Sequence, residues 1–185
     1  MDALVMAGGR GERMGGCEKP MLLLRDRPLV SYVLEALLKS SAIDSVYVAV
    51  SPNTPQTSCY IENWPDKKVS PIMTPGAGYV EDMGLAIRAI GKKEPILVVS
   101  ADMPLITPGL IDKAISEYHR CGKEALSVWI EGLGTPAGIN VVHGAYIDRA
   151  QEELILVLND PALAANVNYR KDLTYCEQIF DGKNG

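Results

Sequence analysis

Ten residues near the amino terminus, Ala7 to Gly16, hold five glycines and two arginines, and Glu18-Lys19-Pro20 follows almost at once. The apolar run Ala3-Leu4-Val5-Met6 before them predicts a short buried strand. Glycines directly after a strand let bare backbone amides approach an anion closely. Arg10, Arg13 and Lys19 add positive charge for several phosphate oxygens. A solvated basic turn would explain glycines or charges singly; their combination behind a strand points to a phosphate loop.

Two familiar phosphate loops are excluded by spacing. The dinucleotide fingerprint needs a third glycine three positions after Gly11, where Met14 stands. The P-loop needs Ser or Thr after its lysine, and Lys19 is followed by Pro20. Pro20 also disfavours helical backbone at Lys19, so the lysine is expected on an extended segment pointing back at the loop.

Asp102 is the second candidate. It ends Ile96-Leu97-Val98-Val99-Ser100-Ala101, which places a carboxylate at the carboxyl edge of a buried strand, the rim where open α/β sheets bind ligands. Capping of the next helix is the alternative role, but Thr107 fills that position better. Asp102 is therefore the candidate Mg²⁺ ligand, since Mg²⁺ takes few protein oxygens and completes its shell from phosphates and water. No histidine stands where a general base is needed: His119 falls on the polar side of a helix and His143 follows a strand.

Met6-Ala7-Gly8-Gly9-x-Gly11-x-Arg13-Met14 with Lys19-Pro20 resembles the signature loop of the sugar-nucleotide and cofactor nucleotidyltransferases, which join an NTP to a phosphorylated acceptor. Further segments extend the likeness to the archaeal guanylyltransferases acting on adenosylcobinamide phosphate. These are Ser51-Pro52-Asn53-Thr54-Pro55, Gly78-Tyr79-Val80-Glu81-Asp82, Gly138-Ile139-Asn140-Val141-Val142 and Asn166-Val167-Asn168. The resemblance implies a Rossmann-like fold, GTP and a corrinoid as substrates, and Mg²⁺ as cofactor.

It also implies roles. Arg13, Lys19 and Asp102 are catalytic; Ala7, Gly8, Gly9, Arg10, Gly11, Ser51, Asn53, Gly78, Tyr79 and Glu81 bind the nucleotide; Gly138 and Asn168 meet the acceptor; Asn168 joins Asp102 on the metal. Glu81 or Asp82 would accept from guanine N1–H and N2–H₂, or would simply favour a helix's first turn. Gly138 equally suits a β-bulge, and Asn168 a turn. The loop Glu131 to Pro136 is shorter than in the corrinoid enzymes, which bears on acceptor recognition. Two rival readings stay open: guanylyl transfer to molybdenum cofactor or another small acceptor, and GTP binding without turnover.

The elements that must position these residues follow from periodicity. Strands are expected at 3–6, 46–50, 68–72, 96–99, 126–129, 139–142 and 154–158, the residues 51–55 being a loop. Helices are expected at 29–38, after Gly78, from Thr107 and over 170–180. Strands alternating with amphipathic helices predict one α/β domain over residues 1–180, three layers with a mostly parallel sheet, and a short tail at 181–185.

Composition agrees. The chain has 185 residues, 47% hydrophobic and 22% charged, a length suited to one core. A net charge of −5 argues against a nucleic-acid partner. No apolar run reaches membrane-spanning length, and four cysteines without a C-x-x-C pair suggest neither zinc nor a disulfide framework. A cytoplasmic enzyme is expected.

Overall fold

The computed structural model describes residues 1–182, without the side chains of Arg13, Arg170, Asp181 and Gly182. Continuous apolar runs form the strands that are covered on both faces. In chain order the elements are β1 (Asp2–Met6), β2 (Leu23–Leu24), β3 (Arg27–Pro28), α1 (Leu29–Lys39), β4 (Val46–Val50), α2 (Pro55–Glu62), β5 (Val69–Met73), α3 (Tyr79–Ile90) and β6 (Pro95–Ser100). Then come α4 (Pro108–Cys121), β7 (Ala125–Ile130), β8 (Thr135–His143), β9 (Glu153–Leu158) and α5 (Arg170–Gly182).

Seven strands form one sheet in the order β5-β4-β1-β6-β8-β7-β9, and β2 and β3 form a separate small hairpin. Only β8 runs against its neighbours, pairing antiparallel with both β6 and β7. The α/β, mostly parallel architecture thus agrees with the expectation. From β1 the chain goes out to β4 and β5 on one side and returns to β6 on the other. Their carboxyl ends flank a topological switch point, where a crevice opens.

The two faces are covered unequally. The main core packs α1 and α4 against the sheet and includes Leu34, Leu37, Leu97, Ile111, Leu126 and Val141, all fully buried. A smaller cluster under α3 joins Ile87 and Ala86 to Leu4, Ala49, Ile96 and Val98. Helix α3 packs over β1, β4 and β5, joins Ile96 and Val98 of β6 in that cluster, and reaches Ser100 and Asn140 through Tyr79.

Three local expectations need correction. The expected loop ends at Thr54, and Pro55 opens a helix that was not foreseen: α2 buries Thr57, Ser58 and Ile61, so its inward face lacks the apolar repeat that marks a helix. Lys19 is not extended, because Lys19–Met21 is a single 3₁₀ turn held by Met21 N to Glu18 O (2.9 Å) and Leu22 N to Lys19 O (3.1 Å). Helix α5 continues to Gly182, so the expected tail begins inside it, and residues 183–185 lie outside the described residues.

Candidate active site

A cleft of about 500 Å³ opens at the switch point. Its walls are the turn after β1, Lys19-Pro20, the Gly76–Tyr79 stretch entering α3, the end of β6 at Ser100–Asp102, and Asn168. The floor of the phosphate loop is anchored from behind. Ser51, almost wholly buried after β4, donates from Oγ to the Gly8 carbonyl at 2.7 Å and accepts from Asn53 N at 3.1 Å.

The loop itself turns sharply. Gly11 has φ of +62°, and a Cβ there would lie 2.0 Å from the Cys17 carbonyl oxygen, so only glycine fits. Among the described residues, the amides of Gly8, Gly9, Arg10 and Gly11 donate to no other group. They remain available to an anion in the cleft. Arg10 reaches across, its Nη2 3.4 Å from the Gly76 carbonyl. The side chain of Arg13, assigned a catalytic role on resemblance, lies outside the described part of the structure.

Lys19 owes its position to its neighbour. The Glu18 carboxylate accepts from Gln56 N (2.9 Å), Thr57 N (2.8 Å) and the Thr57 hydroxyl (2.8 Å). Thr54, the residue before α2, supplies no side-chain cap. Glu18 therefore satisfies the orphan amides of α2 from 38 positions away and sets a negative charge at its positive end. That contact fixes the backbone from which Lys19 enters the cleft. Sequence reasoning missed it, although Glu18 stands beside the lysine it holds.

Lys19 Nζ lies 2.6 Å from Asp102 Oδ2, 3.2 Å from the Val167 carbonyl and 3.3 Å from Asn168 Oδ1. The main chain joins the same elements, since Val167 N donates to the Asp102 carbonyl at 2.9 Å. Asp172 accepts from the amides of Asn168 and Tyr169, each at 2.7 Å, and holds the turn before α5. Asp102 caps no helix; Thr107 does that, accepting from Leu110 N at 3.3 Å.

The donor set suits a hard divalent ion. A carboxylate oxygen and an amide oxygen already converge on one cation, the Lys19 ammonium, and such oxygens are the ligands Mg²⁺ takes. Among the described residues no group of three or more His, Cys, Asp or Glu gathers at any point. An ion held by Asp102 and Asn168 would complete its shell with phosphate and water.

Tyr79 closes the opposite wall. The residue is 45% exposed, yet its hydroxyl turns inward within hydrogen-bonding reach of Ser100 and Asn140. Burial of that hydroxyl, reinforced by the negative charge of Asp102, pushes its pKa to about 12. It stays protonated as a polar contact across any ordinary pH range.

Of the residues assigned to the nucleotide, Ala7, Gly8, Gly9, Arg10, Gly11, Gly78 and Tyr79 line the cleft. Ser51 and Asn53 lie behind it and brace the loops. Glu81 is solvent-exposed and does not line it. Asp82 faces inward, but its Oδ1 accepts from the amides of Gly76 (3.1 Å) and Ala77 (3.3 Å), a role in holding the loop. Gly138 lies against Ser100 and Met103, opposite the register shift in the β7–β8 pairing, and does not line the cleft. Neither histidine lines the cleft.

Residues 3–154 match the MobA-like NTP transferase domain family. The chain is 41% identical to the adenosylcobinamide-phosphate guanylyltransferase of Methanocaldococcus jannaschii, with 97% of each chain covered. It is 30% identical to a probable molybdenum cofactor guanylyltransferase of Thermococcus gammatolerans, covering 83% of this chain and 73% of that one. Molybdopterin-guanine dinucleotide biosynthesis protein A from Archaeoglobus fulgidus superposes with a TM-score of 0.75 at 19% identity, over 98% of this chain and all of that one. That superposition identifies the fold as the Rossmann-like nucleotidyltransferase fold.

Proposed function

The chain belongs to the MobA-like NTP transferase family, and from that premise we propose that it transfers GMP from GTP to adenosylcobinamide phosphate, forming adenosylcobinamide-GDP and pyrophosphate. The observation that carries this reading is the meeting of Lys19, Asp102 and Asn168 beside the glycine loop. The corrinoid acceptor rests on the near full-length likeness to the Methanocaldococcus enzyme. A cytoplasmic setting is part of the reading, since GTP is supplied there; among the described residues no helix is long and apolar enough to cross a membrane.

The residues divide the work by charge. The free amides of the glycine loop and the Arg10 guanidinium hold the triphosphate, and Lys19 neutralises charge gathering on the departing pyrophosphate. Acidic Glu81 and Asp82 in the first turn of α3 disfavour phosphate there, so the nucleoside lies toward Gly78 and Tyr79. Asp102 and Asn168 would hold Mg²⁺, which supplies Lewis-acid stabilisation at the α-phosphate. The acceptor's phosphate monoester, with a second pKa of about 6, arrives mostly dianionic and needs no protein base. Alignment of that nucleophile with the α-phosphate is then the main task of the cleft.

Pyrophosphate release from GTP, measured with and without adenosylcobinamide phosphate, tests the proposal. Acceptor-dependent release supports it, and GTP binding without release with any acceptor would make the chain a binding protein. Molybdenum-cofactor guanylyl transfer is the second reading, favoured by the Thermococcus relative. Product analysis in the same assay separates the two.

A further inference from the structure

Asp82 uses only one of its two carboxylate oxygens to hold the fold. The residue is 5% exposed and lines the cleft. Its Oδ1 accepts from the amides of Gly76 (3.1 Å) and Ala77 (3.3 Å), while Oδ2 has no hydrogen-bond partner among the described residues. That second oxygen is not sealed from solvent, so it opens into the cleft that Asp82 lines.

Holding the loop does not account for a carboxylate. Asparagine would offer the same carbonyl oxygen to two amides without burying a charge. Among the described residues no lysine or arginine side chain pairs with Asp82. Its charge is offset by the loop amides and by the amino-terminal end of α3, in whose first turn it lies.

Asp82 also stands where two glycine loops meet. A Cβ at Gly8 would lie 3.2 Å from Ser51 Cβ, and one at Gly76 3.2 Å from Ser51 Oγ, so both backbones rest on the same side chain. Further along each loop, a Cβ at Gly9 or Gly78 would meet nothing within 4 Å. Arg10 joins the loops, its Nη2 3.4 Å from the Gly76 carbonyl. Glycine backbone thus borders the space before Asp82 on both loops, which leaves room for a flat ring whose edge meets the carboxylate.

We propose that Asp82 is the residue that selects guanine, its Oδ2 accepting from N1–H and N2–H₂ of the base. This rests on the guanylyl-transfer reading given above. Selection works by polarity at one edge of the ring. Adenine presents the N1 lone pair there, and xanthine carries a carbonyl at C2 in place of the amine, so each sets an acceptor against the carboxylate. Hypoxanthine keeps N1–H and lacks only the amine. A buried acceptor left without its donor costs more than a lost apolar contact, and that difference makes the site selective.

Calorimetric titration of the wild type and of Asp82→Asn with GTP, ITP, XTP and ATP tests this. For the wild type, ITP is expected to bind about tenfold more weakly than GTP, and XTP and ATP at least about a hundredfold more weakly. In Asp82→Asn the side-chain oxygen can stay on the Gly76 and Ala77 amides while the N–H₂ turns to the base. The melting temperature is then expected to hold, and XTP to bind more tightly than GTP. A folded Asp82→Asn that still prefers GTP to XTP would overturn the assignment and leave guanylyl transfer standing. If that variant melts early, the wild-type ranking decides: GTP and XTP bound alike overturns the assignment, and the hundredfold gap supports it. Equal affinity of the wild type for GTP and ATP would overturn both.

Discussion

The Lys19 ammonium stands 2.6 Å from the Asp102 carboxylate, and both residues line the cleft, one in the segment after β1 and the other just past the end of β6. Asn168 meets the same ammonium at 3.3 Å, so one cation already bridges the two oxygens expected to hold Mg²⁺. Replacing it by a divalent ion requires Lys19 to give up Asp102, and the released ammonium is then available to phosphate. The lysine and the metal site are thus coupled by contact.

That coupling predicts non-additive effects. Asp102→Asn and Lys19→Ala should each lower turnover about a hundredfold or more, as expected when a charged contact to a reacting phosphate is lost. GTP affinity should largely survive Asp102→Asn, because the loop amides and Lys19 remain. The double variant should lose less than the product of the single losses, since residues in one network do not act independently. Steady-state kinetics with calorimetric GTP titrations of the three variants checks this; full additivity would separate the two residues.

Glu18 should matter for both stability and rate. Glu18→Ala removes the cap of α2, which should cost about 1–2 kcal/mol, roughly 2–8 °C in Tm for a domain of this size. It should also lower turnover by loosening the turn that presents Lys19. Restoring stability with an added ligand that does not touch the cleft should not restore the rate. A variant of normal Tm and normal turnover would remove Glu18 from the account.

Tyr79 should titrate late. Its pKa of about 12 lies above the usual 10, so the folded state keeps a proton that the unfolded state loses as pH rises between them. Its contribution to stability is therefore full below about pH 10 and is lost as pH climbs through about 12. Tyr79→Phe should remove the latest-titrating tyrosine from the absorbance curve at alkaline pH. It should leave the pH dependence of turnover unchanged between about pH 6 and 9. A change in that range would mean the hydroxyl ionises during the reaction.

Gly138→Ala should destabilise the protein by about 1–3 kcal/mol, because the new methyl group meets Ser100 at 2.9 Å on a backbone with positive φ. Thermal melting of Gly138→Ala alone and combined with Ser100→Ala reads this directly. Removing the serine hydroxyl should recover part of the loss and leave the backbone strain.

Local features were legible in the sequence, and contacts between distant segments were not. The glycine turn after β1 and Asp102 after β6 follow from a strand run and the residues just beyond it. Helix α2 escaped because its buried face is Thr57, Ser58 and Ile61, where polar contacts replace an apolar stripe. Ser51 looked like a ligand residue, but its hydroxyl is taken by the Gly8 carbonyl, 43 positions back. Asp82 suited base recognition or a helix's first turn equally; its bonds to Gly76 and Ala77 exist only once the loop has folded over it. Periodicity also placed β7, β8 and β9, yet it could not tell that Tyr79 at the start of α3 would reach across to Ser100 and Asn140.

Pyrophosphate release and product mass, measured together in one reaction of GTP, Mg²⁺ and adenosylcobinamide phosphate, test the central claim most directly. The account predicts one pyrophosphate per adenosylcobinamide-GDP formed, with release at least tenfold slower when ATP, CTP or UTP replaces GTP. Equal rates with ATP and GTP, or product from a molybdenum cofactor acceptor and none from the corrinoid, would contradict it.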